Sequence, residues 1–258
     1  MNFLYEKIMI SEMKNNKEFY DRVGREIGWD FSRLEAGHDG EKWDFYGLVK
    51  DRLREESVLL DLGTGGGKKV LSLAGDCLMI VGIDNSEEMI KKAWENASET
   101  EAVNCRFFKM DANSLTFPDS FFDAVSCRQA AYNPDEVFRV LTNGGFFMTQ
   151  QVSPDDKEGI KDAFGRGQEY GKSLQSFKKK LREEVVSAGF RDVELDHYKI
   201  KEYLRSEEDL KFLLKNTPIL EDFGREGDMK LFSKFVRDKK TDKGIETVTC
   251  RVLVSGKK

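Results

Sequence analysis

Short apolar runs alternate with stretches of helical periodicity through the middle of the chain. The apolar runs predict five strands, at residues 58–62, 78–83, 104–110, 122–127 and 146–152. The first run is apolar throughout except for Asp61, as expected of a strand buried on both faces of a parallel sheet. After the second run, one helical face is apolar; it carries Met89, Ile90, Ala93, Trp94 and Ala97. This alternation predicts a doubly wound α/β fold.

The pattern after residue 152 is less regular. A helix is predicted from Leu174 to Ala188, and a sixth strand follows it near residues 193–200. The apolar positions of that strand change face along its length, so its register stays open. Alternation at residues 247–254 predicts the last strand, and helical patterns at residues 207–215 and 228–237 precede it.

The 258 residues are enough for one main domain with additions. We expect the main domain at residues 55–258 and a helical extension, which would serve as a lid, at residues 1–54. A helical insertion is expected at about residues 206–240, before the last strand.

A glycine cluster follows the first predicted strand directly. The sequence from Asp61 is Asp-Leu-Gly-Thr-Gly-Gly-Gly, in which Gly63, Gly65 and Gly67 alternate with Thr64 and Gly66. Glycine adopts backbone conformations closed to residues with a Cβ and lets a ligand approach the main chain closely. The cluster therefore predicts a cradle for a nucleotide-like ligand.

Two common glycine patterns do not fit this loop. The dinucleotide pattern G-x-G-x-x-G/A needs a small residue where Lys68 stands. The phosphate-loop pattern G-x-x-x-x-G-K-[ST] needs a glycine at Leu62 and a hydroxyl residue at Lys69. What remains is D-x-G-x-G-x-G.

Acidic residues also follow the second and third predicted strands. Asp84 lies twenty-three residues after Asp61, the spacing expected of an acid that binds ribose hydroxyls. It also has a simpler interpretation, as a cap at the strand end. Ser86 then caps the next helix, and Asp111-Ala112 follows the third strand.

With these motifs, residues 57–152 resemble the class I S-adenosylmethionine-dependent methyltransferases. The family's "R-V-L-x-P-G-G" connection is present as Arg139-Val-Leu-Thr-Asn-Gly-Gly, with Asn143 in place of the proline. The resemblance implies a Rossmann-like, seven-stranded, mostly parallel sheet whose last strand is antiparallel, and S-adenosylmethionine as the cofactor.

The resemblance also implies roles for individual residues. Backbone atoms of the glycine loop, Asp61 and Arg128 would bind the amino acid end of the cofactor, Asp84 the ribose, and Asp111 with Ala112 the adenine. The full cofactor-binding set is Asp61, Gly63, Thr64, Gly65, Gly67, Asp84, Asn85, Met89, Asp111, Ala112 and Arg128. Asp123, in contrast, is expected to brace a turn.

The acceptor side is less defined, and the catalytic residues are unknown. Tyr132, Gln129 and Tyr20 are candidates for acceptor contact, although Tyr132 is equally well explained as a core tyrosine. His38 and His197 are not assigned as a general base.

Composition narrows the possible partners. The formal net charge of −5 argues against nucleic acid, and the lysine runs at residues 178–180 and 239–240 have acidic neighbours. The four cysteines lack metal-ligand spacing, so no metal is expected. We expect the cysteines to be reduced thiols in the core. No run is long enough to span a membrane, and the start does not resemble a secretion signal. We expect a cytoplasmic monomer or homodimer.

The sequence thus predicts a methyltransferase (EC 2.1.1.-) acting on a small molecule. The alternatives are a methyltransferase acting on RNA or protein, and a cofactor-binding module without catalytic activity.

Overall fold

The computed structural model describes residues 19, 21–27, 31, 33–38 and 40–258. These residues form nine strands. The strands are β1 (Ala36–His38), β2 (Val58–Leu62), β3 (Met79–Asp84), β4 (Cys105–Lys109), β5 (Phe122–Arg128), β6 (Leu141–Val152), β7 (Arg191–Leu204), β8 (Lys240–Thr241) and β9 (Gly244–Lys257).

Helices connect most of these strands, and residues 21–27 are helical as well. The α-helices are α1 (Phe45–Lys50), α2 (Glu87–Glu99), α3 (Pro134–Val140), α4 (Glu158–Phe164), α5 (Leu174–Ser187), α6 (Glu207–Asn216) and α7 (Asp228–Lys239). Short 3-10 helices occupy Val70–Leu73 and Pro218–Leu220. Within the described part of the chain, no helix combines the length and apolar character needed to cross a membrane.

The chain divides into two compact units. The first contains the described residues up to 27, residues 48–147 and Lys258; the second contains the described residues of 31–47 and residues 148–257. In the first unit the strand order is β6-β5-β2-β3-β4, and the pairs β2–β3, β2–β5 and β3–β4 are parallel. The predicted parallel α/β arrangement is confirmed.

Strand order reverses at β2 in this unit. The chain continues from β2 to β3 on one side, whereas β5 pairs on the other side, with Asp61 opposite Ser126. Ligands of doubly wound sheets bind at the carboxyl ends of the strands beside such a reversal. The ends of β2 and β5 are therefore the place where a ligand of the first unit is expected.

Helix α2 begins as its sequence predicts. The Ser86 side chain accepts a hydrogen bond from the Met89 amide at 3.4 Å, and Glu87 and Glu88 occupy the first turn. The predicted apolar face is buried except at Trp94, whose side chain is 43% exposed. Its indole nitrogen donates to the carbonyl of Phe107 at 3.2 Å.

The glycine pair before β6 is part of the strand. The sequence favours a break at Asn143-Gly144-Gly145 and a strand from Phe146, but β6 starts at Leu141. The Gly144 amide donates to the carbonyl of Lys258, and the Lys258 amide donates to that of Gly145. The predicted start was wrong because these pairings involve a residue more than a hundred positions away.

The second unit is built on a long antiparallel pair. Here the strand order is β1-β7-β9-β6, with β8 paired to β9. The β7–β9 register runs from Arg191 opposite Lys257 to Leu204 opposite Ile245. Helices α4, α6 and α7 supply apolar side chains to a core with these strands, including Leu210, Phe232 and Phe235.

The antiparallel last strand is confirmed, while the predicted count of seven strands was two too low. The additional strands are β1 and β8, with three and two residues respectively. All of their residues are exposed. They carry no alternation for sequence reasoning to detect, since alternation arises where one face of a strand is buried.

The second unit also buries a group of charges. Asp156 is 5% exposed and accepts hydrogen bonds from the Cys250 amide, at 2.9 Å, and from the Arg251 guanidinium. Lys157, 3% exposed, pairs with Glu202 at 2.8 Å. Burial alone would raise the pKa of Asp156, but the positive charges of Arg251 and Lys157 outweigh it and lower that pKa below its ordinary value.

We expect Asp156→Asn to lower the free energy of unfolding by about 3 kcal/mol at neutral pH, because it leaves the Arg251 charge buried without its partner. A carboxylate whose pKa is lowered on folding stabilises the protein above its unfolded pKa and loses that effect as the pH falls. The difference between wild type and variant should therefore shrink in acid. Urea unfolding at several pH values measures it.

Asp155→Asn is the matched control. Asp155 contacts Lys199 at 3.3 Å in a pair that is partly exposed on both sides, so its loss should cost less than about 1 kcal/mol. Equal losses for the two variants would show that the buried pair does not stabilise the unit.

Candidate functional site

The glycine loop leaves β2 with three backbone angles in the left-handed region. The φ values of Gly63, Gly65 and Gly67 are +68°, +55° and +72°. The Thr64 amide donates to the carbonyl of Ile83 on β3, and the Gly67 amide donates to that of Thr64, at 2.9 and 3.0 Å. Residues with a Cβ rarely adopt such angles, so this path of the chain depends on glycine.

The loop after β2 meets the loop after β5. A Cβ placed on Gly63 would lie 2.2 Å from the Cβ of Ala130. Beneath this contact, the Ser126 hydroxyl donates to the Asp61 carboxylate at 2.6 Å, and Asp61 is 1% exposed. The ends of β2 and β5 therefore lie directly beside each other.

The space above Gly65 is open, in contrast to Gly63. A Cβ at Gly65 would meet no heavy atom of the described residues within 4 Å. The Gly65 amide donates to one oxygen of Asp84 at 2.9 Å, and the Ser86 amide donates to the other oxygen at 2.9 Å. Each carboxylate oxygen has a second lone pair, so Asp84 can still accept hydrogen bonds from a ligand.

The pKa of Asp84 is raised above its ordinary value. Burial is the largest cause, and it outweighs the amides of Ser86 and Gly65, which lower the pKa. The charge of Asp21 raises it further. Asp84 is therefore protonated at a higher pH than an ordinary aspartate.

Asp21 belongs to the helical residues 21–27, which lie against the start of α2. Val23 is fully buried, and a Cβ on Gly24 would be 3.3 Å from the Met89 methyl group and 3.5 Å from the Ser86 hydroxyl. Asp21 is three residues from Gly24 and so lies on the same helix face. This helix segment borders the Asp84 side of the site.

Thr64 carries a hydroxyl group within the glycine loop. Its side-chain oxygen is buried and makes no hydrogen bond within the described part of the chain. Buried hydroxyls without a partner are rare in folded proteins. The Thr64 oxygen is enclosed beneath the loop, where a Cβ on Gly82 would lie 2.9 Å away, so it does not face the open space above Gly65.

The remaining predicted cofactor residues lie around these elements. Met89 is 3% exposed, beneath the Gly24 contact, and Asn85 is exposed beside Asp84. One Asp111 oxygen accepts from the amide and the side chain of Asn113, both at 2.9 Å, and Ala112 is half-buried. All of them belong to the first unit.

Of the three candidates for acceptor contact, the structure describes Gln129 and Tyr132. Gln129 is exposed and has a φ of +59°, which is unusual for a residue other than glycine, and Arg128 precedes it at the end of β5. The Tyr132 ring packs edge-on against Phe147, with the centroids 5.0 Å apart. Tyr20 lies outside the described residues.

Asp123, expected to brace a turn, lies within β5 and links this strand to the start of β2. Its carboxylate accepts from the Val58 amide at 2.9 Å.

The four cysteines are buried and form no disulfide. Among the described residues, no three His, Cys, Asp or Glu side chains come together as a metal site.

Sequence reasoning missed the residues that support the loop from below. The Asn96 side chain donates to the carbonyl of Gly66 at 2.7 Å. A Cβ on Gly82 would lie 2.6 Å from the Phe107 ring and 2.9 Å from the Thr64 hydroxyl. Asn96 lies three residues after the buried Ala93 on α2; this helical spacing was the available signal.

A cavity of about 600 Å³ lies elsewhere, in the second unit. Its lining includes Glu35, Tyr203, Arg205, Glu207 and Lys243, with charges of both signs. None of the predicted cofactor residues lines it, so we do not assign it to the cofactor.

A family model for a methyltransferase domain matches residues 53–211, more than half of the chain. The chain belongs to this family, and it carries an S-adenosylmethionine-dependent methyltransferase domain. The matched range contains the glycine loop, Asp84 and Asp111.

Individual relatives agree with the family. An uncharacterized methyltransferase of Bacillus subtilis, YcgJ, is 35% identical over 111 residues, which are 40% of this chain and 44% of that protein. The demethylmenaquinone methyltransferase of Thermus thermophilus is 33% identical over 108 residues, 38% of this chain and 49% of that protein. The chain thus spans less than half the length of these two relatives.

A solved structure shares the fold. The crystal structure of YcgJ superposes with a TM-score of 0.59 at 23% identity, covering 82% of this chain and 97% of that chain. The Rossmann-like methyltransferase fold is thereby confirmed.

We expect Gly63→Ala to lower the free energy of unfolding by about 3 kcal/mol, because the new methyl group overlaps Ala130 in addition to the strained φ. Gly65→Ala meets open space and should cost about 1 kcal/mol. Urea unfolding of both variants checks this order. Equal losses would mean that the two strand-end loops do not touch at Gly63.

Proposed function

We propose that the protein transfers the methyl group of S-adenosylmethionine to a small-molecule acceptor. The observation that carries the proposal is the Asp84 carboxylate, held by the amides of Gly65 and Ser86 beside open space at the glycine loop. A carboxylate with remaining lone pairs is suited to the two hydroxyl groups of a ribose.

The residue assignments extend this proposal. Asp84 binds the ribose, with Asn85 and Met89 beside it, and Asp111 with Ala112 binds the adenine. The amino acid end lies at the glycine loop, which includes Thr64. Gly63, Gly65 and Gly67 shape the loop, and Asp61 with Arg128 completes that end.

The residues of the chain need not supply a leaving group or a nucleophile. The cofactor, when bound, brings a sulfonium from which the methyl group is displaced. The protein binds it, aligns the acceptor and excludes water. Tyr132, Gln129 and Tyr20 are our candidates for acceptor contact.

We further propose that the N-terminal extension, residues 1–54, acts as a lid, with the main domain at residues 55–258 and its insertion near 206–240. The support is local: the helical residues 21–27 bury Val23 and press Gly24 against Ser86 and Met89. This contact would restrict access of water to the ribose side of the cofactor.

The small-molecule acceptor is supported by the net charge of −5 and by the Thermus thermophilus relative, whose name gives demethylmenaquinone as the methyl acceptor. A protein that binds nucleic acid through phosphate contacts is usually basic.

Calorimetry with S-adenosylhomocysteine tests the cofactor site. We expect wild type to bind and Asp84→Ala to bind roughly a hundredfold more weakly, because two hydrogen bonds to a charged acceptor are lost. Asp119→Ala, which removes an aspartate whose side chain is 77% exposed, is the control and should bind like wild type.

Turnover then separates the three functions. Release of S-adenosylhomocysteine with small quinol or phenol acceptors, and not with RNA or protein, is the expected result. Turnover with RNA or protein alone would support the first alternative, and tight binding without turnover on any acceptor would support a non-catalytic module. Absence of binding to wild type would overturn the proposal.

The binding should also depend on pH. Because the ribose donates to a charged Asp84, affinity should fall as the pH drops through the pKa of Asp84, which is raised above its ordinary value. Asp21→Asn removes a nearby negative charge, so it should move this midpoint to lower pH. Calorimetric titrations across the acid range measure both midpoints, and an unchanged midpoint in Asp21→Asn would contradict the coupling.

A further inference from the structure

We propose that Asn96 is a positioning residue for the amino acid end of the cofactor, acting through the glycine loop without touching the ligand. The inference rests on the proposed function, since it assumes that this loop holds the cofactor. It concerns a residue outside the D-x-G-x-G-x-G motif, on the helix that follows β3.

The contact between Asn96 and the loop is short and specific. The side-chain nitrogen of Asn96 donates to the carbonyl of Gly66 at 2.7 Å, and Asn96 is half-buried. The amide of the same peptide unit belongs to Gly67 and donates to the Thr64 carbonyl at 3.0 Å. Both polar groups of the Gly66–Gly67 peptide are therefore engaged, one by α2 and one by the loop itself.

A peptide between two glycines needs such a restraint. Glycine populates φ values of either sign at similar cost, so a peptide between two glycines rotates more easily than one between residues with a Cβ. The neighbouring Gly67 is fixed by packing, since a Cβ there would lie 3.2 Å from Ala93 and from the Phe107 ring. The hydrogen bond from Asn96 restrains the orientation of the Gly66 carbonyl.

Helix α2 places the Asn96 side chain on the same face as the residue that packs against Gly67. Ala93, which packs against Gly67, and Asn96, which binds Gly66, are three residues apart and share one helix face. One face of α2 thus holds two consecutive loop residues. The Gly65 amide, one residue earlier, is held separately by Asp84 at 2.9 Å.

Loss of the Asn96 donor should lower the fraction of protein whose loop is ready to bind. Apparent affinity falls in proportion to that fraction. A hydrogen bond of ordinary strength controls a population by roughly three- to tenfold. The effect should be confined to the part of the ligand that the loop contacts.

The test compares Asn96→Asp with Asn104→Asp. Asp has the shape of Asn but cannot donate, and it places a negative charge against the carbonyl. Asn104 is a close match: its side-chain nitrogen donates to the carbonyls of Ala74 and Cys77 at 2.8 and 3.0 Å, and so holds a different loop in the same unit. Asn96→Ala is made as well, so that the result does not depend on the introduced charge.

Two probes are titrated by calorimetry into the full chain, S-adenosylhomocysteine and methylthioadenosine, which lacks the amino acid end. We expect both Asn96 variants to weaken S-adenosylhomocysteine by roughly three- to tenfold and methylthioadenosine by less than about twofold. Asn104→Asp should leave both affinities within about twofold, even where its melting temperature falls as far as that of the Asn96 variants.

Three results would overturn the inference: unchanged affinity for S-adenosylhomocysteine in both Asn96 variants, equal weakening of the two probes, or equal weakening in Asn104→Asp. If Asn96→Asp does not fold, Asn96→Ala decides by the same criteria; Asn96→Gln, which retains the amide, should restore part of the affinity. If wild type binds neither probe, the proposed function itself fails, and that outcome is distinct from the other three.

Discussion

The whole first unit depends on a backbone that can turn sharply at the end of a buried strand. At Gly63 the chain must pass a neighbouring loop so closely that a single methyl group would overlap Ala130. Only glycine satisfies both that distance and the left-handed φ. This turn lets the loops after β2 and β5 pass each other while β2 pairs with β3 on one side and β5 on the other. A side chain at this position would push the two loops apart.

Sequence reasoning predicted the parts of the site that are encoded locally. The D-x-G-x-G-x-G loop, Asp84 and the Ser86 cap are each recognisable within a few residues, and the structure brings them together at the ends of β2 and β3. Their contacts with a cofactor remain proposals. The parallel sheet and the antiparallel last strand followed from apolar runs and from the family resemblance.

The missed features depend on partners that are distant in sequence. Asn96 contacts a residue thirty positions earlier, and Asp156 contacts Arg251 ninety-five positions later. The start of β6 was misplaced for the same reason, since Gly144 pairs with Lys258. Such long-range pairings leave no short motif in the sequence. The two extra strands, β1 and β8, were not predicted, because short exposed strands have no buried face that would produce an alternating sequence pattern.

Ser86 performs two tasks that are usually given to different residues. Its side chain caps α2 through the Met89 amide, while its own amide binds the Asp84 carboxylate. These two roles limit which amino acids can replace Ser86 during evolution. Proline is excluded because it has no amide proton, and long or apolar side chains are excluded because they cannot cap the helix. Drift at residue 86 should therefore be limited to a few small polar residues, even among descendants of this chain that come to use another methyl acceptor.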